Sequence, residues 1–124
     1  MRLAIIASIL LGLAACGGGD LSPKEGCNQS AAALCERLYA CFTSAELAAG
    51  GFPPNEAGCV TKYQTDYGCS AQTVENTCDG NEKYHGDQAD DCVDQIHGLE
   101  CSQVRDANFN YETGLPACDK VCSI

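Results

Sequence analysis

The stretch "SAAALCERLYACF", residues 30–42, decides the fold class of this chain. Its apolar residues recur at spacings of three and four, as on one face of an α-helix: Ala31, Leu34, Cys35, Leu38, Tyr39 and Phe42. Ser30 is a suitable N-cap, because its hydroxyl can accept a hydrogen bond from a free backbone N–H of the first turn. The stretch therefore predicts a helix, and its cysteines predict that this helix is cross-linked to the rest of the fold.

Caps and apolar spacing predict two more helices before residue 70. Thr43 and Glu46 have the spacing of a capping box at the start of a short helix, "TSAELAA". Asn55 is the expected N-cap of "EAGCVTKYQTDY", in which Cys59, Val60, Tyr63 and Tyr67 would share a face. Gly68 suits the left-handed position that often follows a helix.

The C-terminal half shows further helical segments separated by loops. Asp87 is the expected N-cap of "QADDCVDQIHG", in which Cys92, Ile96 and Leu99 align. Ser102 would cap a short turn, "QVRDA", and Pro116 would begin a last helix, "PACDKVC", after a loop over residues 106–115. Residues 70–86 are ambiguous between helical turn and loop. We therefore predict a mainly α domain of about four or five short helices, with no substantial sheet.

Eleven cysteines are present, and ten of them lie beyond residue 26. These ten are Cys27, Cys35, Cys41, Cys59, Cys69, Cys78, Cys92, Cys101, Cys118 and Cys122. An even number of cysteines in a short exported chain is typical of a disulfide framework, and each bridge adds about 2–4 kcal/mol. We expect five disulfides and no free thiol among the ten. Zinc is disfavoured, because paired C-x2-C knuckles are absent from the sequence.

An antiparallel arrangement of the first and third predicted helices suggests part of the disulfide pairing. The end of the first helix would then lie beside the start of the third. The expected pairs are Cys41 with Cys59, Cys35 or Cys27 with Cys69, and, across the 106–115 loop, Cys101 with Cys118 or Cys122.

The first twenty residues have the layout of an export signal. Met1-Arg2 precedes an apolar run over residues 3–13, which is shorter than the roughly 20 apolar residues that span a bilayer. The tetrad Leu13-Ala14-Ala15-Cys16 resembles the lipobox of bacterial lipoproteins. That resemblance implies a signal peptide over residues 1–15 and acylation of Cys16 by palmitate-like chains.

The predicted mature chain has a tether followed by one domain. Residues 16–26 would form the lipidated cysteine and a flexible linker, and residues 27–124 the cysteine-rich domain. Position 17 is not the aspartate that retains enterobacterial lipoproteins in the inner membrane. This resemblance implies an outer-membrane location, at the periplasmic face or the cell surface.

Three segments of the chain are similar to a known group of proteins. "ALCERLYACF", "ADDCVDQIHGLECSQV" and "LPACDKVC" resemble segments of the small cysteine-rich lipoproteins that are abundant in myxobacteria and their relatives. The resemblance implies an exported, helical, disulfide-bonded domain. It implies no particular activity.

Composition and motifs exclude several classes of function. The formal net charge is −10, and it becomes −11 when residues 1–15, which contain Arg2 and no acid, are removed. Such an acidic surface repels phosphate backbones, so nucleic-acid binding is not expected. No G-x-S-x-G motif occurs, and His85 and His97 are too far apart in sequence to form a helical metal-ligand pair. We predict no catalytic residue, no metal ligand and no cofactor.

The acidic segment "DGNEKYHGDQAD", residues 79–90, does not match a calcium-binding loop. An EF-hand loop needs an oxygen ligand where Lys83 stands, a glycine where Tyr84 stands and a glutamate where Asp90 stands. We therefore interpret the acids between Asp79 and Asp94 as a solvated face.

Two functional hypotheses follow. The first is a monomeric, non-enzymatic structural or binding module of the cell envelope, held to the membrane through Cys16 and able to contact an envelope protein. Its contact surface would be the acidic face, with Asp87, Asp90, Asp91 and Asp94. The alternative is a small disulfide-rich inhibitor or effector that displays the loop "GGFPPNEAG", residues 50–58.

Overall fold

The computed structural model describes residues 19–124; the predictions for residues 1–18, including the signal peptide and Cys16, lie outside the described residues. In this described range the helices are α1 (Pro23–Cys41), α2 (Ser44–Ala49), α3 (Glu56–Asp66), α4 (Gly86–His97), α5 (Cys101–Val104), α6 (Tyr111–Gly114) and α7 (Pro116–Asp119). A short 3-10 turn covers Cys69–Ala71. Strands β1 (Lys83–Tyr84) and β2 (Cys122–Ser123) form a small antiparallel sheet. The predicted class, a small mainly α disulfide-rich domain, is confirmed.

Helix α1 begins well before the predicted cap at Ser30. Its N-cap is Ser22, whose hydroxyl accepts a hydrogen bond from the Glu25 backbone N–H at 3.3 Å. The Glu25 carboxylate in turn accepts from the Ser22 backbone N–H at 3.0 Å. Pro23 at the first helical position has no N–H to leave unpaired. Residues 23–26, predicted as the end of the tether, therefore form the first turn of α1.

Helix α1 lies at the centre of the fold and packs against both α3 and α4. Cys35 is fully buried and bonded to α3, whereas Ala33, outside the predicted apolar stripe, is fully buried in the core shared with α4. The buried residues of this shared cluster are Ala33, Cys92, Val93, Ile96, Leu99, Leu115 and Ala117. Because α1 is covered on two sides, its buried surface is wider than one amphipathic stripe.

The caps of α2 and α3 are confirmed. The Thr43 hydroxyl accepts from the Glu46 backbone N–H at 3.3 Å, and the Asn55 side chain accepts from the Gly58 backbone N–H at 2.8 Å. Gly68 adopts φ 61°, the left-handed conformation that the sequence predicted.

Two predicted caps in the C-terminal half were wrong. Helix α4 begins at Gly86, so Asp87 lies within its first turn, where a carboxylate still favours the positive end of the helix. Helix α5 begins at Cys101, and the Gln103 side-chain oxygen accepts from the Glu100 backbone N–H at 2.9 Å. The N-cap residue of α5 is therefore Glu100 and not Ser102.

The segment after residue 105 also differs from the prediction. The expected 106–115 loop contains α6, because the Asn110 side chain accepts a hydrogen bond from the Thr113 backbone N–H at 3.2 Å. The predicted final helix ends at Asp119, and Cys122 pairs instead with Tyr84 across the sheet. Extended backbone at Cys122 lets the C-terminal segment pair with β1.

Five disulfides join these elements. The pairs are Cys27–Cys69, Cys35–Cys59, Cys41–Cys101, Cys78–Cys122 and Cys92–Cys118. All ten cysteines beyond residue 26 are therefore bonded, and the Cys27–Cys69 alternative is confirmed. The predicted bridge between Cys41 and Cys59 was wrong, as was the predicted pairing of Cys101 with Cys118 or Cys122.

The register between α1 and α3 explains the first of these errors. The two helices are antiparallel, and in the turn that follows α2 the Pro53 carbonyl accepts a hydrogen bond from the Tyr39 hydroxyl near the end of α1. Helix α3 consequently begins beside the middle of α1, at Cys35. Six residues of α-helix separate Cys35 from Cys41, which places their side chains about 120° apart around the axis. Cys41 therefore faces α5, and its partner is Cys101.

Candidate functional site

A cavity of about 370 Å³ opens between α1, α3, α4 and the C-terminal segment, and we call it the tyrosine cavity. Its buried wall includes Ala31, Ala89 and Ile96, and its aromatic wall consists of Tyr63, Tyr67 and Tyr84. The volume lies within the range of about 300–1,000 Å³ that is usual for small-molecule sites.

One wall of the cavity depends on Gly26 and Gly86, where other parts of the chain lie very close to the glycine backbone. A Cβ atom at Gly26 would lie 2.8 Å from the Tyr84 hydroxyl oxygen, so the absence of a side chain lets Tyr84 lie across α1. A Cβ atom at Gly86 would lie 2.6 Å from the Leu21 carbonyl oxygen. The two glycines thus bring α1, α4 and the segment before α1 into direct contact.

Tyr84 connects the cavity wall to two other parts of the chain. Its hydroxyl donates a hydrogen bond to the Leu21 carbonyl oxygen at 3.0 Å, and its backbone pairs with Cys122 in the sheet. Burial raises the pKa of Tyr84, an effect increased by the nearby Glu25 and Asp20 carboxylates, so the hydroxyl stays protonated as a donor. The side chain is therefore held in place from both ends.

Tyr63 and Tyr67 form a stacked pair on the other side of the cavity. Their ring centroids are 5.8 Å apart with an interplanar angle of 9°, and Tyr67 remains 63% exposed. Burial raises the pKa of Tyr63, with a smaller contribution from Tyr67. The predicted shared face of α3 is thus present, and it supplies an aromatic surface that continues from the cavity to solvent.

The lining of the cavity is mostly apolar and aromatic. Within the described part of the chain, its lining contains no charged side chain and no histidine; its polar groups are hydroxyls and one amide, such as those of Ser30, Thr77 and Gln72. An apolar ligand could gain aromatic and aliphatic contacts, whereas a charged ligand would lose its hydration without a counter-ion.

The two histidines lie at opposite ends of α4. His85 precedes α4 and His97 ends it, so the helix separates them by about 18 Å along its axis. His97 Nδ1 lies 3.2 Å from the Glu36 carboxylate, at the surface. Across residues 19–124, no group of three or more histidine, cysteine or acidic side chains is arranged to hold a metal ion.

The predicted acidic face is only partly exposed. Asp87, Asp91 and Asp94 are exposed on α4. The Asp90 carboxylate accepts a hydrogen bond from the Gly19 backbone N–H at 2.9 Å, so it holds the N-terminal segment against the helix.

The predicted display loop is shorter than residues 50–58. Gly50 ends α2, and α3 begins at Glu56. Between them, Phe52 donates its backbone N–H to the Leu47 carbonyl at 3.0 Å, and the Pro53 carbonyl accepts from Tyr39. Two backbone groups of this connection thus form hydrogen bonds with other residues of the domain.

The sequence interpretation missed Tyr84 and the Ser22 cap. The capping-box spacing of Ser22 and Glu25, with Pro23 between them, was a visible local signal for the start of α1. Tyr84 carried no such signal, because its partners lie about 40 to 60 residues away in sequence.

No helix within residues 19–124 combines the length and apolar character needed to cross a bilayer. No family model, curated protein or solved structure matches this chain.

Proposed function

We propose that this protein is a lipid-anchored, non-enzymatic binding module of the outer membrane, monomeric, which takes an apolar group into the tyrosine cavity. The observation that carries the proposal is a cavity of about 370 Å³, uncharged in its described lining and built on a disulfide-bonded frame. A group that bound there would find shape and apolar contact, but no acid, base or nucleophile with an activating partner.

Disulfides hold several walls of this cavity. Cys27 and Cys118 both line it, and they are bonded to Cys69 and Cys92. The strand that carries Tyr84 pairs with Cys122, which is bonded to Cys78. Walls held in this way need little ordering when a ligand enters, which favours binding by a small domain.

The membrane attachment rests on the lipobox-like tetrad that ends at Cys16. As in the lipoproteins it resembles, the Cys16 sulfur would lose its proton and take a diacylglyceryl group from a phospholipid, whose head phosphate leaves. Hydrolysis of the bond before Cys16 would then free an amine, which would take a third acyl chain from an ester of a second phospholipid, leaving a lysophospholipid. Each methylene group in the bilayer contributes about 0.8 kcal/mol, so three chains anchor firmly.

Fractionation tests the anchor. Wild-type protein should sediment with the outer membrane, and Cys16→Ser should be lost from the outer-membrane fraction because no thiol is present to be acylated. If Cys16→Ser remains in the outer membrane to the same extent, the lipid anchor on Cys16 is wrong.

Ligand titration tests the cavity. Cys16→Ser protein should increase the fluorescence of the neutral apolar probe N-phenyl-1-naphthylamine. Ser30→Phe, which places a ring into the cavity from α1, should weaken this binding at least tenfold, about 1.4 kcal/mol. Gln29→Phe is the matched control, because Gln29 is exposed on the same helix. Equal probe binding by both variants would contradict the proposed site.

An envelope protein partner would use a different surface. The exposed carboxylates of Asp87, Asp91 and Asp94 lie on one helix and favour a cationic partner. The inhibitor or effector alternative ranks below this, because the Tyr39–Pro53 hydrogen bond and the start of α3 leave only a short free stretch around Pro54.

A further inference from the structure

We infer that the tyrosine cavity holds one fatty acyl chain of the protein's own lipid anchor on Cys16. This inference rests on the proposed function, because it requires that Cys16 is acylated. It names the apolar group that the cavity binds.

The chain enters the domain beside the cavity. The Gly19 backbone N–H donates to the Asp90 carboxylate, and Asp90 follows Ala89, which lines the cavity. The Leu21 backbone N–H donates to the Gly86 carbonyl at 3.2 Å. Residues 19–21 therefore lie against the start of α4 rather than leading directly away from the domain.

The distance between the anchor and this contact is short. Only Gly17 and Gly18 separate Cys16 from Gly19, and three residues of fully extended chain span at most about 11 Å. An acyl chain attached to Cys16 is consequently delivered to the surface around Asp90 and Leu21.

A shallow depression continues from this point to the cavity. The depression is lined by Asp20, Leu21, Ser22, Pro23, Tyr84 and Gly86, among others. Pro23 and Tyr84 also line the tyrosine cavity, so the two spaces share a wall. A flexible hydrocarbon chain could follow this surface past Tyr84 and enter the cavity.

The size of the cavity suits one chain rather than the whole anchor. If a methylene group takes about the volume of a water molecule, about 30 Å³, then 370 Å³ accommodates about a dozen methylene groups. The other chains of a three-chain anchor would remain in the bilayer, so occupancy of the cavity does not require release from the membrane.

The charges around the depression favour the protein's own anchor over a free lipid. Asp20 and Glu25 both line this depression, and the Asp90 carboxylate contacts Gly19, the first described residue. A free fatty acid or an anionic phospholipid would bring its negative charge close to these carboxylates. The chains on Cys16 are linked through thioether, ester and amide groups, which carry no charge.

Photo-crosslinking of the acyl chain tests the inference. Cells are grown with a diazirine-bearing palmitic acid, the lipidated protein is irradiated in its membrane, and its peptides are analysed by mass spectrometry. We expect intramolecular adducts on peptides that carry Tyr63, Tyr67 or Tyr84. Adducts confined to phospholipid and to other proteins would overturn the inference.

Matched variants link the adducts to the cavity. Ser30→Phe should lower the yield of intramolecular adducts at least tenfold, whereas Gln29→Phe should leave it unchanged. Disulfide mapping of both variants verifies the fold. Equal adduct yields from correctly folded variants would overturn the inference.

The same experiment distinguishes this inference from the proposed anchor. An N-terminal peptide without acyl mass would contradict both. An acylated Cys16 without intramolecular adducts would contradict only the occupancy of the cavity. Adducts on the same tyrosine peptides in Cys16→Ser protein would show a free lipid as the occupant, which would overturn the assignment to the protein's own anchor.

Discussion

The Tyr84 hydroxyl donates a hydrogen bond to the Leu21 carbonyl oxygen at 3.0 Å, and so joins strand β1 to the segment that precedes α1. Tyr84 lines both the tyrosine cavity and the neighbouring depression. One side chain thus connects the N-terminal segment of the domain to the tyrosine cavity.

Tyr84→Phe should release the N-terminal segment while the fold persists. Loss of this hydrogen bond should lower the free energy of unfolding by about 1 kcal/mol. Hydrogen exchange should accelerate at the Leu21 amide, which donates to Gly86. Tyr111→Phe is the control, because Tyr111 is 61% exposed. Unchanged exchange at Leu21 in Tyr84→Phe would show that the hydroxyl does not hold this segment.

Because of the ion pair between Glu46 and Arg105, the free energy of unfolding should depend on pH. The hydrogen bond from Arg105, followed by those from Thr43, lowers the pKa of Glu46 from its ordinary 4.5 to about 2. Because the pKa is lower in the folded protein, the stabilisation by Glu46 is fully present above about pH 4.5 and is lost as the pH falls towards 2.

Denaturation at several pH values measures this effect. Glu46→Gln should unfold at lower denaturant concentration than wild type at pH 7, and the two midpoints should converge between about pH 4.5 and 2. Glu112→Gln is the control, because Glu112 takes part in no ion pair in residues 19–124. A difference between wild type and Glu46→Gln that stays constant over this range would contradict the assignment.

The disulfides should open in a defined order under increasing dithiothreitol. Cys35 and Cys59 are both fully buried, so an attacking thiolate cannot reach their bridge without unfolding. Cys41 and Cys101 are partly exposed, and the Arg37 guanidinium Nη2 lies 3.6 and 3.9 Å from their sulfurs. Because a nearby cation stabilises the leaving thiolate, the Cys41–Cys101 bridge should open first and Cys35–Cys59 last.

Alkylation and mass spectrometry at each reductant concentration give this order. Arg37→Met should slow the reduction of Cys41–Cys101 by roughly threefold, because the cation that stabilises the leaving thiolate is removed. The partly exposed Cys78–Cys122 bridge serves as the internal control and should be unaffected. Early alkylation of Cys35 and Cys59 would contradict the burial of their bridge.

Local signals in the sequence predicted where the helices begin better than they predicted which residues the helices contact. The N-cap at Asn55 and the capping box of Thr43 and Glu46 were identified correctly, because a cap depends on residues three positions apart. The start of α1 was missed although Ser22 and Glu25 have the same spacing, because Pro23 was interpreted as part of a linker. Proline is in fact well suited to the first position of a helix.

The disulfide partners required tertiary information. The antiparallel relation of α1 and α3 was predicted, but their register depends on the path of α2 and on the Tyr39–Pro53 hydrogen bond. Helix α3 begins farther back along α1 than was predicted, so the partner of Cys59 is Cys35 rather than Cys41. Likewise, helical spacing placed Tyr63 and Tyr67 together, whereas the contact of Tyr84 with Leu21 depends on the whole fold.

The intact mass of protein extracted from the outer membrane tests the central claim of a lipid-anchored, disulfide-bonded binding module most directly. The account predicts residues 16–124 with one diacylglyceryl group and one further acyl chain, less the ten thiol hydrogens lost in five disulfides. Proteolysis should place all of the acyl mass on the N-terminal Cys16 peptide. A mature protein that begins at another residue, or that carries no acyl mass on Cys16, would contradict the account.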